Sequence, residues 1–308
     1  MVVHRRIPRF PLKGLPACAA LGIFDGVHPG HRAILRKAVS VAKARGSTPT
    51  AVTFHPHPLR VLRPRFAPPL LMPLEKRLQA ISACGIRLAL VIPFTRSFSR
   101  WSPERFAKEL LVKRLRVRDV VVGANFRFGA GRRGSVSTLQ RLGARHGFKV
   151  HVIAPVRLKG ERVSSSRLRE WIRQGRISLA RRLMKASVTV TGRVVRGAGR
   201  GRKLGFATAN LKVESGVLPP AGVYAVRGGM ANIGFRPTFP GRAVSPLLEV
   251  HLFGRKGSLY GRRLEVEFLR RLRGERRFSS PGALSRQLSV DARRAKWYTQ
   301  QLRSHAVS

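Results

Sequence analysis

Two histidines three positions apart, His28 and His31, lie in the run Phe24 to His31, which follows an apolar segment from Ala17 to Ile23 and precedes a helical pattern. We expect this run to turn from a strand into a helix. The free N–H groups and the dipole at the start of a helix favour anionic oxygens. Imidazoles placed there can donate hydrogen bonds to phosphate and stabilise charge on a leaving pyrophosphate. The spacing therefore predicts a site for nucleotide phosphates, in preference to two histidines that only cap a helix or bind a metal by accident.

Other residues of the same turn support this interpretation. Gly26 and Gly30 allow the backbone to approach a ligand closely. Asp25 is one of only three aspartates in the chain, so its position inside the motif is informative. We therefore take Phe24, Asp25, Gly26 and Gly30 as candidate ATP-binding residues around the candidate catalytic pair of histidines.

A second phosphate motif is predicted at Ser164 to Arg169, where a helix begins after a loop. The hydroxyls of Ser164 and Ser165 and the guanidinium of Arg167 suit a phosphate at such a helix start. Three serines before a helix are usually an N-cap, so the motif is weak by itself. It gains weight because it follows the fifth strand of the same predicted sheet.

Two further motifs follow predicted strands. In Gly123 to Gly129, Phe126 and Phe128 could stack on a planar ring and Asn125 could hydrogen-bond to a sugar or base, although two such phenylalanines are more often core residues. In His55 to Pro58 the prolines predict a rigid loop, whose histidines either face a ligand or are ordinary loop residues. Both motifs are expected at the ligand-binding edge, because open parallel sheets bind ligands at the carboxyl ends of their strands.

The first part of the chain alternates short apolar runs with helical patterns, which predicts a doubly wound parallel sheet. The candidate strands are Ala17 to Ile23, which we take as the first strand, Thr50 to Phe54, Leu88 to Pro93, Asp119 to Val122 and Val150 to Ala154. The candidate helices are Ala33 to Ala44, Leu74 to Cys84, one entered at Ser102 to Glu104 with Ser102 as N-cap, Leu168 to Gln174 and Ile177 to Met184.

The pattern changes after about residue 184. Short strand-like runs separated by Gly- and Pro-rich turns now predict a small antiparallel β-barrel. These runs are Ser187 to Val195, Val223 to Val226, Ala231 to Ile233, Leu248 to Leu252 and Leu264 to Phe268, followed by a closing helix at Pro281 to Leu302. The predicted fold class is therefore α/β plus β, with one domain at residues 1–184 and a second at residues 187–308.

The barrel region carries its own candidate chemistry. Gly197 to Arg202 is a basic, glycine-rich loop, centred on Gly199, that could cover phosphates but lacks the spacing of a Walker loop. Thr208 and Asn210 offer oxygen ligands for a Mg²⁺ that bridges ATP phosphates. Glu249, a carboxylate flanked by apolar residues on a predicted strand, is a candidate general base in the mouth of the barrel. Strand alternation alone does not distinguish this role from that of an outward-facing residue.

The charge of the chain is extreme, since 62 Lys+Arg against 13 Asp+Glu give a formal net charge of +49. Such a field attracts polyanions, so non-specific association with RNA or DNA is expected at low salt, although a solvated basic surface without a specific partner is the simpler interpretation. The hydrophobic fraction of 43% is typical of globular packing, and no apolar run is long enough for a membrane span. Two cysteines, Cys18 and Cys84, are too few for a disulfide framework, which favours a cytoplasmic setting.

Together these motifs resemble the prokaryotic bifunctional riboflavin kinase/FAD synthetase family, from Ala17 to about Ala295. The matching segments, in chain order, are Phe24 to His31, Thr53 to Pro58, Gly123 to Gly129, Ser164 to Arg169, Gly205 to Leu211, Asn232 to Phe239, Glu249 to Leu252 and Leu272 to Glu275. The resemblance implies an N-terminal, Rossmann-like adenylyltransferase module of the HxGH kind, which transfers AMP from ATP to FMN. It also implies a C-terminal riboflavin kinase module, which transfers the terminal phosphoryl group of ATP to the ribityl hydroxyl of riboflavin.

The resemblance further implies roles for individual residues. In the first module, the residues that would contact ATP or lie near its phosphates are His28, His31, Asn125, Ser164, Ser165 and Arg167. In the second, Thr208 and Asn210 would serve Mg²⁺–ATP and Glu249 would be the base. The candidate flavin-binding residues are Phe54, His57, Phe126 and Phe128. The expected cofactor is Mg²⁺, with ATP, riboflavin, FMN and FAD as substrates or products.

The sequence departs from the family pattern at two residues and in its charge. Ala207 stands where the kinase motif usually has proline, and Ile23 stands where an asparagine commonly precedes the Phe-Asp-Gly run. These departures leave open a protein with one active module. The +49 charge leaves open an alternative function, in which a flavin-enzyme fold serves as an RNA-associated or ribonucleoprotein component with weak or lost catalysis.

Overall fold

The computed structural model describes residues 1–8, 14, 16–196, 206, 208–235, 246–255 and 257–304. The chain forms two compact units. The first comprises Met1–Pro68 and Pro73–Ser165, and the second comprises Pro69–Met72 and Ser166–Ser308. The predicted domain limits of 1–184 and 187–308 stay a prediction. A division of the chain by packing need not coincide with the boundary between two evolutionary domains.

A six-stranded sheet, in which every neighbouring pair is parallel, forms the centre of the first unit. Its strands are β1 (Val2–His4), β2 (Ala17–Leu21), β3 (Thr48–His55), β4 (Leu88–Pro93), β5 (Asp119–Gly123) and β6 (Lys149–Ile153). Their order in the sheet is β1-β4-β3-β2-β5-β6. The predicted doubly wound sheet is confirmed, and the direction of winding reverses between β2 and β5, which is where such sheets bind ligands.

The predicted position of one strand in the chain order is wrong. Ala17–Leu21 is the second strand and not the first, because Val2–His4 adds to the edge of the sheet beside β4. A three-residue edge strand is too short to show a periodic pattern.

Helices connect the strands of this unit. They are α1 (Pro29–Ala44), α2 (Pro58–Leu62), α3 (Leu74–Ser82), α4 (Arg96–Ser99), α5 (Pro103–Arg105) and α6 (Val136–His146). Phe106–Arg114 continues from α5 with π-helical spacing, and Arg157–Leu158 (β7) pairs with Glu161–Arg162 (β8) in a short hairpin. Ser102 caps α5 as predicted, since its hydroxyl accepts a hydrogen bond from the N–H of Arg105.

Helix α1 begins four residues earlier than the pattern predicted. His28 is its N-cap and Pro29 its first residue. Proline is favoured at this position because a backbone N–H there would have no partner within the helix. His31 therefore lies in the first turn of the helix. The hydrophobic core beneath this end of the sheet includes Leu21 and Val122, which are 1% and 0% exposed.

The second unit contains a closed barrel of six antiparallel strands, as predicted. The strands are β9 (Val188–Val195), β10 (Ala209–Ser215), β11 (Gly222–Val226), β12 (Gly229–Phe235), β13 (Pro246–Leu252) and β14 (Arg263–Arg273), in the order β10-β13-β12-β11-β14-β9. The helices are α7 (Ser165–Arg173), α8 (Ile177–Met184) and α9 (Pro281–Ser304). Strand β10 was not predicted, although Ala209 to Glu214 alternate apolar and polar residues.

Within the described residues, no helix combines the length and the apolar character needed to cross a bilayer.

Candidate active sites

The turn after β2 brings the two predicted histidines into direct contact. Their rings stack with centroids 3.7 Å apart and planes inclined by 20°. The Nδ1 atom of His28 accepts a hydrogen bond from the backbone N–H of His31 at 3.4 Å, which caps α1. Gly30 makes room for this arrangement, because a Cβ atom there would lie 3.2 Å from the His28 ring. The pair thus lies at a helix N-terminus at the reversal point of the sheet, where an anionic ligand is favoured.

Both imidazoles are suited to donate hydrogen bonds in the neutral state. Because Nδ1 of His28 accepts a hydrogen bond, the proton of the neutral ring resides on Nε2, which is then a donor. Burial lowers the pKa of His31 well below its usual value of 6.5, and the neighbouring His28 and Arg77 lower it further. Its Nδ1 atom is buried and has no hydrogen-bond partner within the described part of the chain. A neutral His31 at physiological pH can therefore offer one N–H to a ligand without carrying charge.

The backbone of the turn adopts conformations that most residues avoid. Phe24 and Val27 have φ angles of 54° and 33°, in the left-handed region, and Gly26 has a φ of 85°. Phe24 is fully buried, and its ring meets the His31 ring edge-on at 5.4 Å. The Phe24 side chain therefore supports the paired histidines, and only its backbone stays a candidate for contact with ATP.

Three side chains hold the carbonyl groups of this turn. The carbonyl of Ile23 accepts hydrogen bonds from Thr53 Oγ1 at 2.9 Å and from Arg77 Nη1 at 2.8 Å. The carbonyl of Asp25 accepts one from Ser165 Oγ at 2.9 Å. Asp25 itself is 2% exposed. Of the predicted phosphate motif at Ser164 to Arg169, the structure thus brings Ser165 to the histidine turn.

Arg77 was missed by sequence reasoning. It is 3% exposed and lies on the buried face of α3 with Leu78 and Ile81. The available signal was its helical spacing, because an arginine one residue before Leu78 and four before Ile81 occupies an apolar stripe.

The remaining predicted phosphate residues have different surroundings. Ser164 is half-buried, and the neighbouring carbonyl of Val163 lies 3.9 Å from the position of a Cβ on Gly30, in the first turn of α1. Arg167 belongs to the second unit, where its guanidinium pairs with Glu170 at 2.6 Å. Gly199 lies outside the described residues.

The loop after β5 borders α1. A Cβ atom on Gly123 would lie 3.4 Å from Ile34 of α1 and 3.8 Å from Oδ1 of Asn125, whose side chain is exposed. Phe128 is 7% exposed and packs in the hydrophobic core, so the alternative that a phenylalanine of this loop is a core residue holds for Phe128. Phe126 is half-buried and stacks on Phe128 at 5.6 Å.

One aromatic side chain lies near the end of β3, and one helix cap lies in the loop that follows. Phe54 is half-buried, and its ring lies 6.0 Å from those of both Phe94 and Phe98. His57 is the N-cap of α2, where its Nδ1 accepts a hydrogen bond from the N–H of Leu59 at 3.2 Å.

In the barrel, Glu249 lies between two asparagines on neighbouring strands. Its Cα is the register partner of Asn210 on one side and of Asn232 on the other. The preceding register row, formed by Leu211, Leu248 and Ile233, is fully buried. Since successive side chains of a strand point to opposite faces, these apolar residues fill the interior and the polar row lies on the outer face. The expectation that Glu249 lies in the mouth of the barrel is therefore wrong.

The outer face around Glu249 is partly covered. Met230 shares this face and packs with Ala292 and Ala295 of α9 in one hydrophobic cluster. The ring of His251, two residues after Glu249, meets that of Phe206 at 5.3 Å. Asn210 is only 6% exposed, and its Oδ1 atom is buried without a hydrogen-bond partner among the residues that the structure describes. The polar row thus lies on a partly buried part of the outer face.

A second carboxylate, which sequence reasoning did not single out, lies near this row, beside Gly234 on the same strand as Asn232. A Cβ atom on Gly234 would lie 2.8 Å from Oε1 of Glu275 and 3.6 Å from Nδ2 of Asn232. The turn that carries Glu275 is anchored through Arg273, whose Nε donates to the fully buried Asp291 of α9 at 2.8 Å. Glu275 could be found from the sequence only through its membership of the matching segment Leu272 to Glu275.

The lowered pKa of His31 predicts a pH dependence of stability. Between that pKa and 6.5 the unfolded chain binds a proton that the folded chain does not. Stability therefore falls as the pH drops below 6.5, and His55, whose pKa burial also lowers, acts in the same direction. We expect the urea midpoint of unfolding to fall between pH 7.5 and pH 5.5 by less in His31→Gln than in the wild type. A His146→Gln control should behave as the wild type, and equal losses in all three proteins would contradict the prediction.

Comparisons with known proteins match both parts of the chain. A family model described as FAD synthetase matches residues 13–167, and one described as riboflavin kinase matches residues 184–299. A bifunctional riboflavin kinase/FMN adenylyltransferase of Escherichia coli strain K12 is 37% identical over 280 residues, covering 88% of this chain and 89% of the relative. The protein of the same name from Bacillus subtilis is 33% identical over 296 residues, covering 92% and 93%.

A solved structure also matches almost the whole chain. It is a Streptococcus pneumoniae protein named a macrolide-efflux protein, with a TM-score of 0.77, 25% identity, and coverage of 94% of this chain and 96% of that one. Its name differs from those of the curated relatives, whereas both family models and the two relatives agree with one another. The RNA-associated alternative gains no support from any of these matches. With a paired-histidine turn in one unit, a polar row on a barrel in the other and relatives similar along nearly their full length, this chain belongs to the bifunctional riboflavin kinase/FMN adenylyltransferase family.

Proposed function

We propose that this chain makes FMN from riboflavin and ATP in its barrel unit, and FAD and pyrophosphate from FMN and ATP in its sheet unit. The observation that carries the proposal is the presence of two complete sets of polar groups in separate units of one chain. The stacked histidines lie at a helix N-terminus, and the row Asn210–Glu249–Asn232 lies on the barrel. Each set matches the chemistry of one of the two reactions.

In the sheet unit, we propose that His28 and His31 bind the phosphates of ATP. A phosphate oxygen of FMN attacks the α-phosphorus, a new P–O bond forms, and the bond to pyrophosphate breaks with its electron pair leaving on pyrophosphate. Neutral imidazole N–H donors and the N-terminus of α1 stabilise the charge that develops there. Asn125, Ser164 and the backbone of Phe24 to Gly26 are the proposed further contacts.

In the barrel unit, we propose Glu249 as the general base. Its carboxylate accepts the proton of the ribityl hydroxyl as that oxygen forms a bond to the γ-phosphorus, and the bond to ADP breaks. Asn210 and Asn232, its register partners, orient the reacting groups from either side. The nearby carboxylate of Glu275 is a candidate for positioning the flavin.

The residues on the barrel fit a magnesium ion. Mg²⁺ prefers oxygen ligands, and the buried Oδ1 of Asn210 has no hydrogen-bond partner among the described residues, while Thr208 lies two positions earlier with a hydroxyl oxygen. Thr208 and Asn210 would hold the ion, which when bound neutralises charge on the ATP phosphates. Ala207 lies outside the described residues, so its effect on this pair stays a prediction.

For the flavin ring in the sheet unit, we propose Phe54 and Phe126 as stacking residues. Both are half-buried at the edge of the core that contains Phe128, Phe54 near the end of β3 and Phe126 in the loop after β5. His57 uses Nδ1 to cap α2, so it would act through Nε2.

One experiment tests the whole proposal. Purified chain is incubated with riboflavin, ATP and Mg²⁺, and flavins are separated by chromatography over time. FMN should form first and FAD second, and FMN supplied directly should yield FAD. Formation of neither flavin nucleotide would overturn the proposal, and formation of only one would show that a single module is active.

We also propose that the chain associates non-specifically with nucleic acid and acts in the cytoplasm. The formal charge of +49 supports the first, and two free, buried cysteines are compatible with the second. Binding of a short single-stranded RNA should weaken roughly 3 × 10²- to 2 × 10⁴-fold between 50 and 200 mM salt if about 6–10 phosphates are contacted. RNAs of different sequence should bind alike. Absence of binding at 50 mM salt, or binding that salt leaves unchanged, would contradict the prediction.

A further inference from the structure

We propose that Arg77 is a positioning residue for adenylyl transfer, because its buried guanidinium fixes the turn that presents the paired histidines. The inference rests on the function proposed for the sheet unit. It concerns a side chain that need not touch ATP and that acts through the backbone of Ile23 and Phe54.

The guanidinium of Arg77 joins the turn after β2 to the end of the neighbouring strand β3. Its Nη1 donates to the carbonyl of Ile23 at 2.8 Å, just after β2, and its Nη2 donates to the carbonyl of Phe54 at 3.2 Å, near the end of β3. The planar fork of arginine sets the direction of both hydrogen bonds at once, which the single ammonium of lysine does not. Arg77 therefore fixes the relative position of the two loop starts.

The bond to Ile23 also fixes the direction of the backbone. In a planar trans peptide the C=O and the following N–H point in opposite directions. Because the Ile23 carbonyl points to Arg77 and Thr53, the N–H of Phe24 points away from them. Ser165 orients the peptide after Asp25 in the same way, so the N–H of Gly26 points away from Ser165. The directions of the N–H groups of Phe24 and Gly26 thus depend on these side chains.

This turn needs such support. Phe24 and Val27 have positive φ angles, a strained conformation that persists only where the surroundings determine it. The Phe24 ring, placed by that conformation, contacts His31. Loss of the Arg77 hydrogen bond therefore allows the turn to relax and the stacked histidines to move.

A purely structural role explains Arg77 poorly. Burial lowers the pKa of its guanidinium, and Asp25 offsets this only in part, so the charge is held in a place unfavourable to it. Its neighbours on the same face of α3, Leu78 and Ile81, are apolar. An apolar residue of similar size would avoid the cost of burying a charge, but it would remove the hydrogen bonds to the carbonyls of Ile23 and Phe54. A buried cation beside the site is expected where it serves the reaction.

Arg77 also acts on His31 through its charge. The charged or titratable groups that affect His31 are His28 and Arg77, while Asp25 acts on Arg77. The guanidinium adds to burial and to the effect of His28 in opposing protonation of His31. This gives the proposal a signature that a merely structural residue would lack.

The test compares Arg77→Met and Arg77→Lys with the wild type and with a matched control, Arg45→Met. Arg45 also bonds a buried partner of the same unit, Asp119 Oδ1 at 3.1 Å, at the amino end of β5 and away from the histidine turn. For each protein, FMN adenylylation is measured as kcat and KM from pH 5.5 to 8.5. Riboflavin phosphorylation by the same sample reports the amount of intact protein.

In Arg77→Met we expect kcat/KM for adenylylation to fall about 10²-fold, as for a displaced catalytic group. The acidic limb of the profile should move to higher pH, because His31 protonates more easily. Arg77→Lys should restore the limb but only part of the rate. Arg45→Met should lower the unfolding midpoint and leave kcat unchanged.

Two results would overturn the proposal. One is an Arg77→Met protein with the adenylylation kcat, KM and pH profile of the wild type and only a lower unfolding midpoint. The other applies if Arg77→Met does not fold, in which case an Arg77→Lys protein with the full wild-type rate decides against it. A wild-type protein that makes no FAD from FMN would instead refute the proposed function, so the two failures are distinguishable.

Discussion

Glu249→Gln is expected to form FMN about 10²- to 10⁴-fold more slowly than the wild type, the range that a positioned general base contributes. Glutamine keeps the size of the side chain and its place between Asn210 and Asn232, but it cannot accept a proton from the ribityl hydroxyl. Because the carboxylate lies on the outer face of the barrel, the substitution leaves the barrel interior untouched. The measurement is the initial rate of FMN formation from riboflavin at saturating ATP and Mg²⁺.

The same sample provides the internal control for this variant. Conversion of supplied FMN to FAD should continue at the wild-type rate, because that site lies in the other unit. Glu267→Gln removes a carboxylate from the same barrel, one that pairs with Arg227 at 2.7 Å on its surface. It should form FMN normally, and an equal loss in both variants would show that Glu249 matters only for stability.

The second large effect is expected from His28→Asn, which should form FAD from FMN about 10²- to 10³-fold more slowly, as after removal of one charge-stabilising donor. Asparagine is a good N-cap, so its side chain can replace the cap that Nδ1 of His28 provides for α1. The substitution therefore removes the imidazole and its stacking on His31 while the helix is retained. Riboflavin phosphorylation should stay at the wild-type rate.

His28→Ala separates capping from chemistry. It loses both functions, so it should be slow like His28→Asn and also less stable by about 1 kcal/mol, the usual value of a cap. If His28→Asn formed FAD as fast as the wild type while His28→Ala did not, His28 would be a cap and not part of the chemistry.

The histidine turn could be predicted because its signal is local. A strand, two glycines, a proline and two histidines within one short run determine a turn and a helix start almost unaided. The parallel sheet was predictable for a similar reason, since its strands are buried on both faces and appear as continuous apolar runs.

Arg77 and Glu275 could not be predicted in the same way. Arg77 matters through the carbonyls of Ile23 and Phe54, which lie 54 and 23 residues away in the chain. Glu275 matters through Gly234 and Asn232, on another strand of a closed barrel. Such roles depend on tertiary contacts, about which local sequence periodicity carries no information. The placement of Glu249 on the outer face likewise required the register of three strands.

In the barrel, the residues that stabilise the fold and the residues proposed for catalysis lie on opposite faces of the strands. Glu249, the proposed base, lies on the outer face of β13, while Leu248, the residue just before it, fills the interior with Ile233. Volume-conserving exchanges at such inward positions usually change stability by less than about 1.5 kcal/mol. A library confined to inward positions could therefore raise the melting temperature of this unit without altering the side chains around the proposed site. The stabilised variants could then tolerate destabilising substitutions around Glu249.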